Sequence, residues 1–171
     1  VKNLKTNIES NYDYDKLILA TGSKPANPFP QLVNLQNVFT YKSVTDYVKV
    51  KEYFDQNKIE NIIVVGSGYI GLEISDTLNN AGYNVTIVES AKNPFPSADF
   101  EIQLLLKELI KKKNIKIYCE LDYKFINEND KITTLKIDGR YLDVDAVFVA
   151  AGVKPNIDLA INAGLEIGST G

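Results

Sequence analysis

Apolar residues along this chain switch between two periods, and the switches mark its elements. Ile62-Ile63-Val64-Val65 is an unbroken apolar run, short and mostly β-branched, which predicts a buried parallel strand. Beyond it, Ile70, Ile74, Leu78 and Ala81 recur at helical spacing, and Gly82 stands where such a helix stops. Tyr83 to Val88 then predicts a second strand ending at Glu89. Asn93-Pro94-Phe95-Pro96 forces a turn, after which Ser97 or Asp99 caps a helix with Ile102, Leu105, Leu106, Leu109 and Ile110 on one broad stripe. Ile115 to Tyr118 predicts a third parallel strand. From Tyr123 the period falls to two, and turns at Glu128-Asn129-Asp130 and Asp138-Gly139 divide three short antiparallel strands. A last buried strand runs from Asp145 to Ala150, and Gly152 to Asn156 is the loop leaving it.

The first third of the chain is read the same way. Residues 14 to 20 rise from polar to apolar and predict a strand that stops at Thr21-Gly22-Ser23. Pro25, Pro28 and Pro30 punctuate a loop suited to a linker or crossover rather than a core element. Ser43 caps a helix reaching about Asn57, with Val44, Tyr47, Val48, Tyr53 and Phe54 turned inward. Strands alternating with helices predict an α/β fold: a Rossmann-like parallel sheet with helices on both faces, joined to an antiparallel three-stranded β-meander.

Composition narrows the chemistry. The 171 residues include no histidine and one cysteine, which removes zinc sites, Ser-His-Asp triads and imidazole acid-base schemes. No metal site is expected, and Cys119, inside the third strand, is expected to be structural. A net charge of −3 argues against nucleic acid as the main partner, and Lys111-Lys112-Lys113 is explained by the last turn of a helix, where cations complement the dipole. No apolar run approaches the length of a membrane span and no signal peptide opens the sequence, so the cytoplasm is the expected location.

The break after Val65 reads Gly66-Ser67-Gly68-Tyr69-Ile70-Gly71. In a strand-to-helix turn, the first glycine allows the tight bend and the second lets the backbone approach a pyrophosphate. The third lets helix and strand pack closely, while the free N–H groups of the helix start hold the anion. Glu89 lies at the end of the next strand, about 20 residues on, where the fold places a carboxylate on the adenosine ribose. A 2′-phosphate beside it would cost roughly 4 kcal/mol at about 4 Å and an effective dielectric near 20, so NAD(H) is expected over NADP(H). Lys92 offers the phosphate partial compensation.

Three strings carry a resemblance: Tyr-Asp-Lys-Leu-Ile-Leu-Ala-Thr-Gly-Ser at 14 to 23, Gly-Ser-Gly-Tyr-Ile-Gly-Leu-Glu at 66 to 73, and Ala-Ala-Gly-Val-Lys-Pro-Asn at 150 to 156. In this order and spacing the chain resembles the pyridine nucleotide-disulfide oxidoreductases, and most of all their NADH oxidase, NADH peroxidase and coenzyme A disulfide reductase branch. The resemblance implies that Tyr69 gates the space between nicotinamide and flavin, or is simply a packing tyrosine. It also implies that Glu73 sits near both rings, although a first-turn carboxylate is equally explained by the helix dipole. Ile70 would line the pyrophosphate turn, and Gly152 would let the backbone approach the nicotinamide end. Ala20, Thr21, Gly22 and Ser23 match the second FAD contact, and Lys42 stands where a basic residue reaches the FAD phosphates.

The resemblance further implies that the chain is a piece of a longer reductase. Residues 1–35 would be part of an FAD domain and its crossover, 36–156 the NAD(H)-binding domain, and 157–171 the start of the return. No catalytic residue is then expected in this stretch, the redox cysteine lying upstream, and the full-length protein would be a homodimer acting on a small-molecule electron acceptor. Oxygen, peroxide, coenzyme A disulfide, polysulfide and an iron-sulfur protein all remain open as that acceptor. The alternative is a free-standing NAD(H)-sensing regulatory Rossmann module, for which an Ala-Thr-Gly-Ser flavin loop would have no use.

Overall fold

The run at 62–65 occupies the middle of a five-stranded parallel sheet in a computed structural model that describes residues 1–32 and 34–170. In chain order come β1 (Ser23–Pro25), a 3-10 turn (Pro30–Leu32), β2 (Val38–Phe39), α1 (Val44–Gln56), β3 (Asn61–Val65), α2 (Tyr69–Asn80), β4 (Asn84–Glu89) and α3 (Phe100–Lys112). They are followed by β5 (Lys116–Cys119), β6 (Tyr123–Glu128), β7 (Lys131–Ile137), β8 (Arg140–Asp143), β9 (Ala146–Val149), β10 (Val153–Pro155) and α4 (Asp158–Asn162). Sheet order is β2-β9-β3-β4-β5, with a separate antiparallel β6-β7-β8 and a two-stranded β1-β10. The chain divides into two compact units, Val1–Lys24 with Pro155–Gly171, and Pro25–Lys154. Gly171, the end of the segment expected at 157–171, and Val33, within 1–35, lie outside the described residues.

Strand alternation builds two cores in the larger unit. Ile62 and Val64 of β3, Val85 and Ile87 of β4, and Ala146 and Phe148 of β9 face one side, where Val50 of α1, Leu72, Ile74 and Leu78 of α2 and Ile110 of α3 meet them. Ile63, Val65, Val88, Val147 and Val149 face the other side, covered by Ile132, Leu135 and Ile137 of the meander and by Leu32. Each buried aliphatic side chain contributes roughly 1.5–3 kcal/mol. The α/β class read from the sequence is present, but α1, α2 and α3 all pack on one face, and the meander takes the other. The proline-rich loop is more than a linker, because Phe29 and Leu32 both join this second core.

Local chemistry sets the ends of the helices. Ser43 and Asp46 form a reciprocal capping box at the start of α1. At the end of α2, Gly82 takes φ +94°, its N–H donates to the Asn79 carbonyl, and the Tyr83 N–H donates to Leu78. Asn114 plays the same part after α3 at φ +59°. Both meander turns are two-residue turns with positive φ throughout, at Asn129-Asp130 and Asp138-Gly139.

Three expectations change. Residues 14–20 form no strand, and Ile18 is 88% exposed, because no neighbouring chain supplies a hydrogen-bonding edge among the described residues. In α1, Val44, Tyr47 and Val48 are exposed, while Val50, Tyr53 and Phe54 meet Phe39, Phe148 and Tyr83. Val48 falls across the 3.6-residue wheel from Val50, and Tyr47 sits one turn nearer the open end. On α3 only Ile110 is buried and Leu106 half-buried, with Ile102, Leu105 and Leu109 exposed. That stripe is wider than the edge of the sheet beside it.

Candidate functional site

The carboxyl ends of β3, β4 and β9 enclose a cleft of about 440 Å³, all of it within the larger unit. Strand order reverses here, since β3 continues through α2 to β4 on one side and neighbours β9 on the other. Open α/β sheets bind ligands at such a point. Gly66, Ser67, Gly68, Glu89, Ser90, Ala151 and Gly152 line the cleft.

Backbone geometry accounts for the glycines individually. Gly66 turns the chain at φ +95°, with its N–H on the Val88 carbonyl, and a Cβ there would lie 2.5 Å from the Ala150 oxygen. A Cβ on Gly71 would overlap the Gly66 carbonyl oxygen, so α2 can lie against β3 only without one. Around Gly68 there is open space, and this residue caps α2 with no side-chain hydrogen bond. The first N–H groups of a 12-residue helix are thus left for an anion in a cleft with room for it. These features fit a dinucleotide diphosphate.

Glu89 is buried, 7% exposed, and its carboxylate meets four donors. Oε2 accepts from the Ser67 N–H at 2.8 Å and the Ser67 hydroxyl at 2.6 Å. Oε1 accepts from the Ala91 N–H at 2.9 Å and the Ser90 hydroxyl at 3.2 Å. Burial pushes this carboxyl up, but the bonds from Ala91, Ser67 and Ser90 outweigh it and hold it below its ordinary value. Tyr123 shares the cleft, and burial with the nearby Glu89 charge pushes its phenol up to about 12. Its ring packs edge-on to Phe29 and Phe125, 6.0 and 5.6 Å between centroids.

The other expected residues are distributed. Gly152 lines the cleft at φ +92°, its carbonyl accepting from the Ala26 N–H at 2.8 Å. Tyr69 is 77% exposed, its ring edge-on to Phe95 at 4.5 Å. Ile70 and Glu73 line a second groove, between α1 and α2, with Tyr41, Tyr47 and Phe54. Lys42 precedes α1, its backbone N–H on the Asp46 carboxylate. In the smaller unit, the loop Ala20-Thr21-Gly22-Ser23 is tied to Asn156. The Thr21 hydroxyl donates to the Asn156 carbonyl at 2.6 Å, the Asn156 amide donates to the Thr21 carbonyl at 3.0 Å, and the Asn156 N–H donates to Gly22. Cys119, at the end of β5, has its thiol pushed up by burial. Among the described residues, no cluster of acidic or cysteine side chains is arranged to hold a metal, and no helix is long and apolar enough to cross a membrane.

Sequence reasoning missed Ser67, Ser90, Phe29 and Tyr123. Ser67 occupies a variable position of the glycine string, and its partner is 22 residues away. Only the hydroxyl beside a strand-end acid hinted at the contact.

The chain matches the family model of pyridine nucleotide-disulphide oxidoreductases over residues 1–171. An NAD(P)H coenzyme A polysulfide/persulfide reductase of Pyrococcus horikoshii is 34% identical over 95% of this chain and 37% of its own length. An NADH oxidase of Methanocaldococcus jannaschii is 35% identical over 94% of this chain and 36% of its own length. The solved structure of an NAD-dependent persulfide reductase from A. fulgidus superposes with a TM-score of 0.87 at 33% identity, covering 99% of this chain and 31% of that one. The chain therefore spans a little over a third of the curated relatives it matches. Along its whole length, it belongs to the pyridine nucleotide-disulphide oxidoreductase family.

Proposed function

We propose that this chain is the NAD(H)-binding portion of a flavin-dependent oxidoreductase that passes reducing equivalents from NADH to a small acceptor, a persulfide, polysulfide or oxygen. The observation that carries the reading is the uncapped start of α2 at Gly68, open to a cleft that also holds the Glu89 carboxylate. Gly66 and Gly68 let the backbone reach the diphosphate, and the first N–H groups of α2 hold it. Glu89 accepts from the ribose, and Gly152 borders the nicotinamide end. Once bound, a nicotinamide and a flavin would supply the hydride-transfer chemistry, and these residues would supply orientation and electrostatics. Tyr69, exposed at the first turn of α2 with its ring edge-on to Phe95, would stand beside a bound ring. The four donors keep Glu89 ionised at neutral pH, which supports a preference for NADH, because a 2′-phosphate would meet a full negative charge.

Residues 36–156 would then form the nucleotide domain, with 1–35 and 157–171 belonging to a flavin domain. Ala20 to Ser23, braced by Asn156, and Lys42 would contact FAD. A cytoplasmic, homodimeric parent protein without nucleic-acid or membrane partners completes the proposal. Calorimetric titration of the chain with NADH and NADPH tests it. NADH should bind the more tightly, with the difference shrinking in Glu89→Ala, and no interaction at millimolar nucleotide would overturn the reading.

A further inference from the structure

Glu89 enters the cleft with its hydrogen-bonding capacity filled. An ionised carboxylate offers about four acceptor directions, and Ser67 N–H, Ser67 Oγ, Ala91 N–H and Ser90 Oγ take them. A ribose hydroxyl can bind only by displacing one of these donors. The four are not equally easy to displace. Ser90 is exposed, its bond is the longest at 3.2 Å, and water can satisfy its hydroxyl once released. Ser67 is wholly buried, so a displaced hydroxyl there would lack a replacement acceptor. It is also braced from behind, since the Phe95 N–H donates to the Ser67 carbonyl at 3.1 Å and approaches its Oγ at 3.3 Å.

We propose that Ser67 is a positioning residue for nicotinamide-cofactor choice: its hydroxyl and N–H pin Oε2 of Glu89, leaving Oε1 to exchange the Ser90 hydroxyl for the ribose. The inference rests on the dinucleotide reading of the cleft. A carboxylate pinned through one oxygen meets the ribose 2′ position at a fixed angle. It therefore accepts from a hydroxyl there and repels a phosphate. Without the Ser67 hydroxyl, the carboxylate keeps one N–H on Oε2 and gains freedom to turn. Discrimination then falls through NADH alone, which loses an aligned acceptor, while the carboxylate, still charged, goes on repelling a 2′-phosphate.

The test is a double-mutant cycle on the 171-residue chain with NADH and NADPH as titrants. Ser67→Ala, which preserves the N–H and the backbone, should weaken NADH binding about tenfold, the worth of a hydrogen bond to a charged group, and leave NADPH nearly unchanged. In the Glu89→Ala background the same substitution should change neither affinity, because Ser67 acts through that carboxylate. Melting temperatures of all four proteins separate folding from binding. An equal loss for both nucleotides, a full loss persisting in the Glu89→Ala background, or an unchanged NADH affinity would each overturn the proposal while leaving the cleft reading intact. Absence of NADH binding by the unsubstituted chain would overturn both.

Discussion

A methyl group on the α-carbon of Gly71 would overlap the carbonyl oxygen of Gly66, so two glycines five residues apart hold the first turn of α2 against the end of β3. Gly71→Ala must shift backbone rather than a side chain. It should cost about 2–4 kcal/mol of folding stability, read by urea denaturation, and weaken NADH binding in step. Gly68→Ala meets nothing within 4 Å and sits at an ordinary φ of −74°. Its stability should change by less than ~1 kcal/mol, while the new methyl group enters the space proposed for the diphosphate. Loss of NADH affinity at unchanged melting temperature would separate the cradle from the scaffold.

Glu89 gives stability a defined acid limit. Its carboxyl is held below the ordinary 4.5, so folding favours the ionised form. That contribution is complete above pH 4.5 and is lost as pH falls through the lower folded value. Glu89→Gln, which cannot ionise, should be less stable than the unsubstituted chain at neutral pH. The gap should narrow on acidification below 4.5, in paired urea melts across that range.

Asn37 is 1% exposed and bolts the meander to the sheet. Its amide donates to the Ile132 carbonyl at 2.7 Å and the Asp145 carbonyl at 3.1 Å, and its oxygen accepts from the Ile132 N–H at 2.8 Å. Asn37→Leu strands the buried N–H and carbonyl of Ile132, leaves the part-buried Asp145 carbonyl only the Tyr53 hydroxyl at 3.5 Å, and should cost about 2–4 kcal/mol. Asn37 is absent from the cleft lining, so NADH affinity measured below the melting transition should persist.

Tyr123 carries an alkaline counterpart. Burial and the Glu89 charge push its phenol up to about 12, so folding favours the neutral ring. Its contribution is lost as pH rises above the ordinary 10. Tyr123→Phe retains the ring packing on Phe29 and Phe125. Stability at neutral pH should change by less than ~1 kcal/mol, and the latest-ionising phenol should vanish from an ultraviolet titration.

What could be read from the chain beforehand was whatever depends on near neighbours. The strand, glycine turn and helix at 61–80, the Ser43 cap and the Asp138-Gly139 turn are all settled within a few residues, and all appear. The apolar stretch at 14–20 is different, because a strand exists only where another strand lends it donors and acceptors. Likewise, α1 and α3 carry more apolar positions than the sheet has surface to cover. Side-chain periodicity ranks candidates for burial, and the sheet then selects Val50 over Val48 and Ile110 over Leu105. Ser67, Ser90, Phe29 and Tyr123 were invisible for a related reason. Ser67, Phe29 and Tyr123 acquire their places through partners tens of residues away, where no short pattern records them, and Ser90 bonds a neighbouring Glu89 whose own position is fixed by distant Ser67.

Strand order also carries a kinetic consequence. The meander pairs segments joined by two-residue turns, and such hairpins close in about 1–10 μs. The parallel sheet has no such shortcut: β9, emerging near the end of the larger unit, must slip between β2 and β3, and among the described residues β2 has no other partner. Val38 waits for Val147, and Ile62 for Ala146. Refolding should therefore begin at the hairpins and finish at the centre, with the slow phase governed by arrival of a single late strand between two that were synthesised long before it.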